Sequence, residues 1–198
     1  TVRLVEALDR RIVARQADVR DLPGLRAAVE AGVAELGRLD IVVANAGLGF
    51  GGAAVDVDDE RWDRTLDVNV TGAFRLARAA LPALIERGGG SIVLVSSVNA
   101  FVSGSESAAY GTSKAAMNGL ARSIAVDYGP RGIRAHALCP GWVVTPMGDR
   151  AMQDLVKERG ISLEEAYDLV TRYTPLRRPA TADEIAACCL FLASDESS

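Results

Sequence analysis

Apolar positions along this chain follow two periods in alternation. Residues 2–8 read as the end of a helix and residues 11–19 as a strand. Leu25, Val29, Val33 and Leu36 then recur at helical spacing, so they share one face. Residues 39–46 form a β-branched apolar run that predicts a strand buried on both faces. Leu66, Val70, Phe74, Ala77, Leu81 and Leu84 make the stripe of a long helix, stopped by the glycines at 88–90. Residues 91–97 predict another buried strand. Residues 110–128 are helical, with Met117, Leu120, Ala121 and Ile124 inward, and residues 133–139 close as a last strand before Pro140-Gly141. Such alternation implies right-handed crossovers and a parallel sheet with helices on both faces.

Beyond that sheet the chain is helical. Ser162 with Glu165, and Thr181 with Glu184, each fit a capping box. The second of these helices carries Ile185, Cys188, Cys189 and Leu192. Between residues 47 and 52, Gly-Leu-Gly-Phe-Gly-Gly formally matches a dinucleotide fingerprint. A phosphate-binding loop must open straight into a helix. Here the helical stripe starts only later, with Asp58 or Asp59 as N-cap, so the glycines predict a loop that needs close backbone approach or positive φ.

The chain has 198 residues, 49% hydrophobic and 24% charged, which fits one soluble domain over 1–198 with no internal repeat. Its formal net charge of −4 has acids and bases interspersed, so no basic face points to nucleic acid or an anionic membrane. No apolar stretch reaches the length of a membrane span. Three cysteines (Cys139, Cys188, Cys189) are too few for a disulfide scaffold and have no ligand cluster beside them. They read as core-lining thiols of a reducing compartment, with the cytoplasm as the expected location and no metal site.

Tyr110 and Lys114 stand four apart at the head of a helix, which puts phenol and ammonium side by side. A free tyrosine has a pKa of ~10, and a neighbouring positive charge lowers it. The pair therefore predicts a general acid/base near neutral pH.

Other motifs fall in order around that pair. They are Asp18-Val19 after a strand, Asn45-Ala46-Gly47, Asn69 within Val-Asn-Val-Thr-Gly, Ser96-Ser97, Tyr110/Lys114, and Pro140-Gly141 with Thr145. In this order and spacing the chain resembles the short-chain dehydrogenases/reductases of the Tyr-x-x-x-Lys group, from about residue 11 to 198. The resemblance implies a Rossmann-like, doubly wound three-layer α/β/α sheet and hydride transfer between NAD or NADP and a secondary alcohol or ketone. Tyr110 would be the acid/base and Ser97 would hold the substrate oxygen, Ser96 being one residue out of the family's spacing. Lys114 would acidify Tyr110 and grip the nicotinamide ribose, and Asn69 would hold a relay water. Asp18 and the Val19 backbone would meet the adenine, and Asn45, Ala46 and Gly47 the adenosine ribose. Pro140, Gly141, the Val143 backbone and Thr145 would receive the carboxamide. His136, where this family often has Asn, reads as a packed or edge histidine.

The family also begins with a strand, a glycine-rich phosphate loop and a second strand, and ends in a further strand. None of these is recognisable here, so the sheet is expected to be incomplete at both ends and the sequence to be a portion of a longer protein. NAD is favoured over NADP only by residues 2–12, which resemble carveol-dehydrogenase-like members. Phe50, Phe101, Val102, Trp142 and Met147 suggest a lipophilic substrate under a helical lid at about 147–173. The family's habit implies a homodimer or homotetramer, and outward Ala108, Ala109, Ala115 and Gly119 fit a close helix contact. Rival readings are a 3-oxoacyl-acyl-carrier-protein reductase docking through Arg177 and Arg178, a dinucleotide sensor or scaffold, and an inert chain.

Overall fold

A computed structural model describes residues 1–198. Eight α-helices and three strands follow in chain order: α1 (Val2–Glu6), α2 (Leu22–Leu36), β1 (Ile41–Ala44), α3 (Asp59–Leu66), α4 (Gly72–Arg87), β2 (Gly90–Val95), α5 (Ala108–Tyr128), β3 (Ile133–Leu138), α6 (Pro146–Arg159), α7 (Leu163–Thr171) and α8 (Ala182–Ala193). The strands are parallel in the order β1-β2-β3, with Val42 opposite Ile92 and Ile92 opposite Ala135. Strand parity separates two faces. Val42, Ala44, Ile92, Leu94 and Ile133 share a core with Ala77, Leu81 and Leu84 of α4 and with Met117, Ala121 and Ile124 of α5. On the other face α8 lies over β2 and β3, where Ser91 Oγ and Arg134 Nη1 each donate to the Leu192 carbonyl at 3.0 Å. The result is the expected three-layer α/β/α arrangement of Rossmann type.

Several expectations need correction. Residues 11–18 form no strand and Val19 begins a turn, because no neighbour pairs their backbone. β1 is buried on one face only. Ile41 and Val43 remain 45% and 41% exposed, since α8 covers β2 and β3 and stops short of β1. The stripe through Leu66 and Leu84 is one helical run interrupted by a π-turn at Asp67–Thr71. That extra residue rotates the register, so Ala73 rather than Phe74 points inward and Phe74 is 46% exposed. Cys188 is exposed, and only Cys139 and Cys189 are partly covered. Ala109 is fully buried, so it does not belong to an outward stripe.

Local signals were accurate at helix starts. Asp58 Oδ1 accepts from the Arg61 N–H at 2.7 Å, and both capping boxes are formed. Residues 47–52 are a loop, as their separation from α3 required. His136 is half-buried beside Arg134, 2.9 Å from its Nη1, and plays a packing role. Helices α6 and α7 pack chiefly on each other around Met152, Ala166 and Tyr167, a small core of their own. No helix is long and apolar enough to cross a membrane.

Candidate active site

All the candidate groups emerge at or beside the carboxyl ends of the three parallel strands, where open α/β sheets bind ligands. The first two turns of α5 place Tyr110 and Lys114 one turn apart on its inward face. Lys114 is 5% exposed, with Nζ 5.5 Å from the centre of the Tyr110 ring. That nitrogen donates to the carbonyl of Val95, the last residue of β2, at 2.7 Å. Ser97, two residues on, accepts from the Asn99 N–H at 3.2 Å, and its hydroxyl acts to lower the pKa of the Tyr110 phenol. Ser96 is spent otherwise: its hydroxyl donates to the Lys114 carbonyl at 2.9 Å and fastens α5 to the sheet.

Asn69 reaches this cluster because it sits in the π-turn, whose widened ring turns its side chain inward. Its Oδ1 accepts from the Leu48 N–H at 2.8 Å, and its Nδ2 donates to the Leu48 carbonyl at 2.8 Å and to Ser113 Oγ at 2.9 Å. Ser113 in turn donates to the Tyr110 carbonyl at 2.7 Å. Both amide hydrogens are thus committed to protein, and Asn69 clamps the loop after β1 to α5. Close approach explains the glycines in that loop. A Cβ on Gly47 would lie 3.3 Å from Asn69 Oδ1 and 3.5 Å from Lys114 Nζ, and one on Gly49 only 3.0 Å from the Tyr110 ring.

The electrostatics correct one expectation. Lys114 does not make the phenol acidic in this structure. Burial raises Tyr110 above its ordinary value, and the Ser97 hydroxyl pulls it part of the way back. Burial likewise lowers Lys114 to about 8, against a smaller opposing effect of Cys139. The ammonium lies over the ring and aims an N–H at Val95, so it gives little to the phenol oxygen while both groups lose water.

The residues expected at a cofactor fall into two groups. Asp18, Val19 and Ala46 line one shallow cavity of about 410 Å³, with Gln16, Arg20 and Arg64 also on its wall. Asp18 is held at about 2 by the side-chain and backbone N–H groups of Arg20, whose Nη2 lies 2.6 Å away. Val19 packs on Gly72, where a Cβ would come within 2.8 Å of it. Asn45 is exposed beside them and Gly47 turns toward Lys114. At the end of β3, the Pro140 carbonyl accepts from the Val98 N–H at 2.9 Å, and Gly141 faces open space. Thr145 caps α6, its Oγ1 accepting from the Gly148 N–H at 3.1 Å and donating to the Val143 carbonyl at 3.3 Å.

Sequence reasoning passed over Ser113 and the Val95 carbonyl. Ser113 had a signal: it lies three residues after Tyr110 on the same helix face, where a serine hydroxyl returns to the backbone behind it. The carbonyl had none, since only the packing of α5 on β2 selects it.

A family model described as "Enoyl-(Acyl carrier protein) reductase" matches residues 1–198. The Salmonella typhimurium oxidoreductase UcpA is 40% identical over 189 residues, covering 95% of this chain and 71% of its own length. Protein MoaE of Klebsiella aerogenes is 50% identical over 132 residues, covering 67% of this chain and 51% of its own length. The chain therefore spans between about half and three quarters of the relatives it matches. Among solved structures, carveol dehydrogenase from Mycobacterium avium in complex with NAD superimposes with a TM-score of 0.89 at 38% identity, covering 98% of this chain and 73% of that one.

Proposed function

The chain belongs to the short-chain dehydrogenase/reductase family, and on that premise we propose that it interconverts a secondary alcohol and its ketone with NAD(P), using Tyr110 as acid/base. The observation carrying this reading is the convergence of Tyr110 and Lys114 of α5, Ser97 after β2 and Asn69 of the π-turn, three separate segments, against the bare backbone of Gly47 and Gly49. A sensor or scaffold needs no such convergence.

The residues present suit a dinucleotide. The cavity at Asp18, Val19 and Ala46 would take the adenosine end, with the Asp18 carboxylate shared between Arg20 and the ligand. Lys114 has used one of its three N–H groups on Val95, which leaves two for ribose hydroxyls. The open face of Gly141 and the Val143–Thr145 backbone would take the carboxamide. When bound, the nicotinamide supplies or accepts the hydride. The protein's own part is then positional and protic. Ser97 holds the substrate oxygen, and Tyr110 gives that oxygen a proton in reduction or removes one in oxidation. Because burial keeps the phenol protonated at neutral pH, Tyr110 is there poised as the donor.

We favour NAD, in keeping with the NAD complex of the carveol dehydrogenase. Phe101, Val102, Trp142 and Met147 stand 39–74% exposed beside the site, which supports a lipophilic substrate, with α6 and α7 as its lid. A carrier-protein substrate is disfavoured because Arg178 is neutralised by Glu184, with contacts at 2.5 and 2.9 Å. Exposed Phe74 on α4, with Val126 and Ala115 on α5, supports assembly into dimers or tetramers through those helices. The test is dinucleotide reduction by the full-length protein over a panel of secondary alcohols. Turnover of apolar members with NAD is expected, and failure of every alcohol with either dinucleotide would contradict the proposal.

A further inference from the structure

One buried polar constellation lies outside the cluster around Tyr110. Tyr167 of α7 is 4% exposed, and its hydroxyl donates to Asp149 Oδ1 at 3.0 Å and approaches the Val143 carbonyl at 3.4 Å. Gly148 makes room for it. A Cβ at that position would sit 2.4 Å from both the phenol oxygen and the Val143 carbonyl. The same glycine offers its N–H to Thr145. Thus one phenol on α7 meets the first turn of α6, the Val143 backbone and, through Gly148, the cap residue Thr145. Burial, with Asp149 adding to it, pushes that phenol up to about 12, so it stays a donor throughout the working range.

The rest of the lid has few other ties. Helices α6 and α7 share their own small core, and the chain entering and leaving them is joined by two backbone bonds, Val144 N–H to the Ala180 carbonyl at 2.9 Å and Ala180 N–H to the Trp142 carbonyl at 2.8 Å. Segment 142–145 is therefore held from one side by Ala180 and from the other by Tyr167. We propose that Tyr167 is a positioning residue that locks the lid helices to the Val143–Thr145 segment, so that lid placement and grip on the nicotinamide end of the cofactor are set together. This rests on the assignment of Val143 and Thr145 to the carboxamide.

The experiment compares affinity of the full-length protein for NAD and for ADP-ribose, which lacks the nicotinamide, by titration calorimetry. Tyr167→Phe keeps the ring in the Met152–Ala166 core and removes only the hydroxyl. It is expected to weaken NAD about three- to tenfold, the scale of one lost hydrogen bond, and to leave ADP-ribose unchanged. Asp149→Ala removes only the bond within the lid and leaves the phenol free to donate to the Val143 carbonyl, so it is expected to keep NAD affinity close to wild type. A loss equal to that of Tyr167→Phe would overturn the link to Val143. Equal weakening of both ligands by Tyr167→Phe, or of neither, overturns the role. A wild-type protein that binds neither ligand would instead remove the dinucleotide reading beneath it.

Discussion

Lys114→Met should make the fold more stable at neutral pH while removing its activity. Lys114 is 5% exposed, and its pKa falls from 10.5 to about 8 through loss of water. The sign follows from proton counting. Between about pH 8 and 10.5 the unfolded chain keeps a proton that the folded chain has released. Stability contributed by this group therefore rises with pH across that window, and below it the wild type carries the full penalty of a buried ammonium. The fall corresponds to about 3 kcal/mol at 1.36 kcal/mol per pH unit. Methionine has similar length and no charge, but it leaves the Val95 carbonyl without its partner, a loss of about 1 kcal/mol. The net expectation is a gain of about 2 kcal/mol at pH 7, shrinking and then reversing as pH approaches 10.5. Urea denaturation at several pH values measures it directly. A variant less stable than wild type at pH 7, or one whose stability runs parallel to wild type from pH 7 to 10.5, refutes the reasoning.

Two further substitutions probe the neighbours. Gly49→Ala places a Cβ 3.0 Å from the Tyr110 ring and must displace it slightly. Turnover should fall about tenfold with the thermal midpoint little changed, since misplacing a catalytic group is felt far more in rate than in stability. Asn69→Ala removes three hydrogen bonds and strands both backbone groups of Leu48. A loss of about 2–3 kcal/mol in denaturant titration is expected, with faster hydrogen exchange at Leu48.

Much of this molecule is legible in its sequence because the signals are local. Asp58, Ser162 and Thr181 announce their helices through hydrogen bonds made within three residues. The order of motifs also places Tyr110, Lys114, Ser97 and Asn69 in one cluster before any geometry is seen. What escaped depends on partners distant in sequence. Residues 11–19 have a strand's composition but lack a neighbour to pair with, and Ile41 and Val43 stay exposed because of where α8 ends. Periodicity cannot reveal the π-turn that swings Phe74 outward. The pKa directions of Tyr110 and Lys114 are hidden from the sequence for the same reason. Spacing shows that two groups are adjacent, while the balance of attraction against lost hydration depends on depth, which only the packed structure gives.

The central claim is that the Tyr110 phenol exchanges the substrate's proton. Its most direct test is the rate of alcohol oxidation against pH for wild type beside Tyr110→Phe, at saturating dinucleotide. Since burial raises the phenol, wild-type oxidation should climb steadily into the alkaline range as phenolate forms. The phenylalanine variant should lose about 10²–10⁴-fold in rate, and the climb with it. Equal rates, or the same alkaline climb in both proteins, would contradict the account.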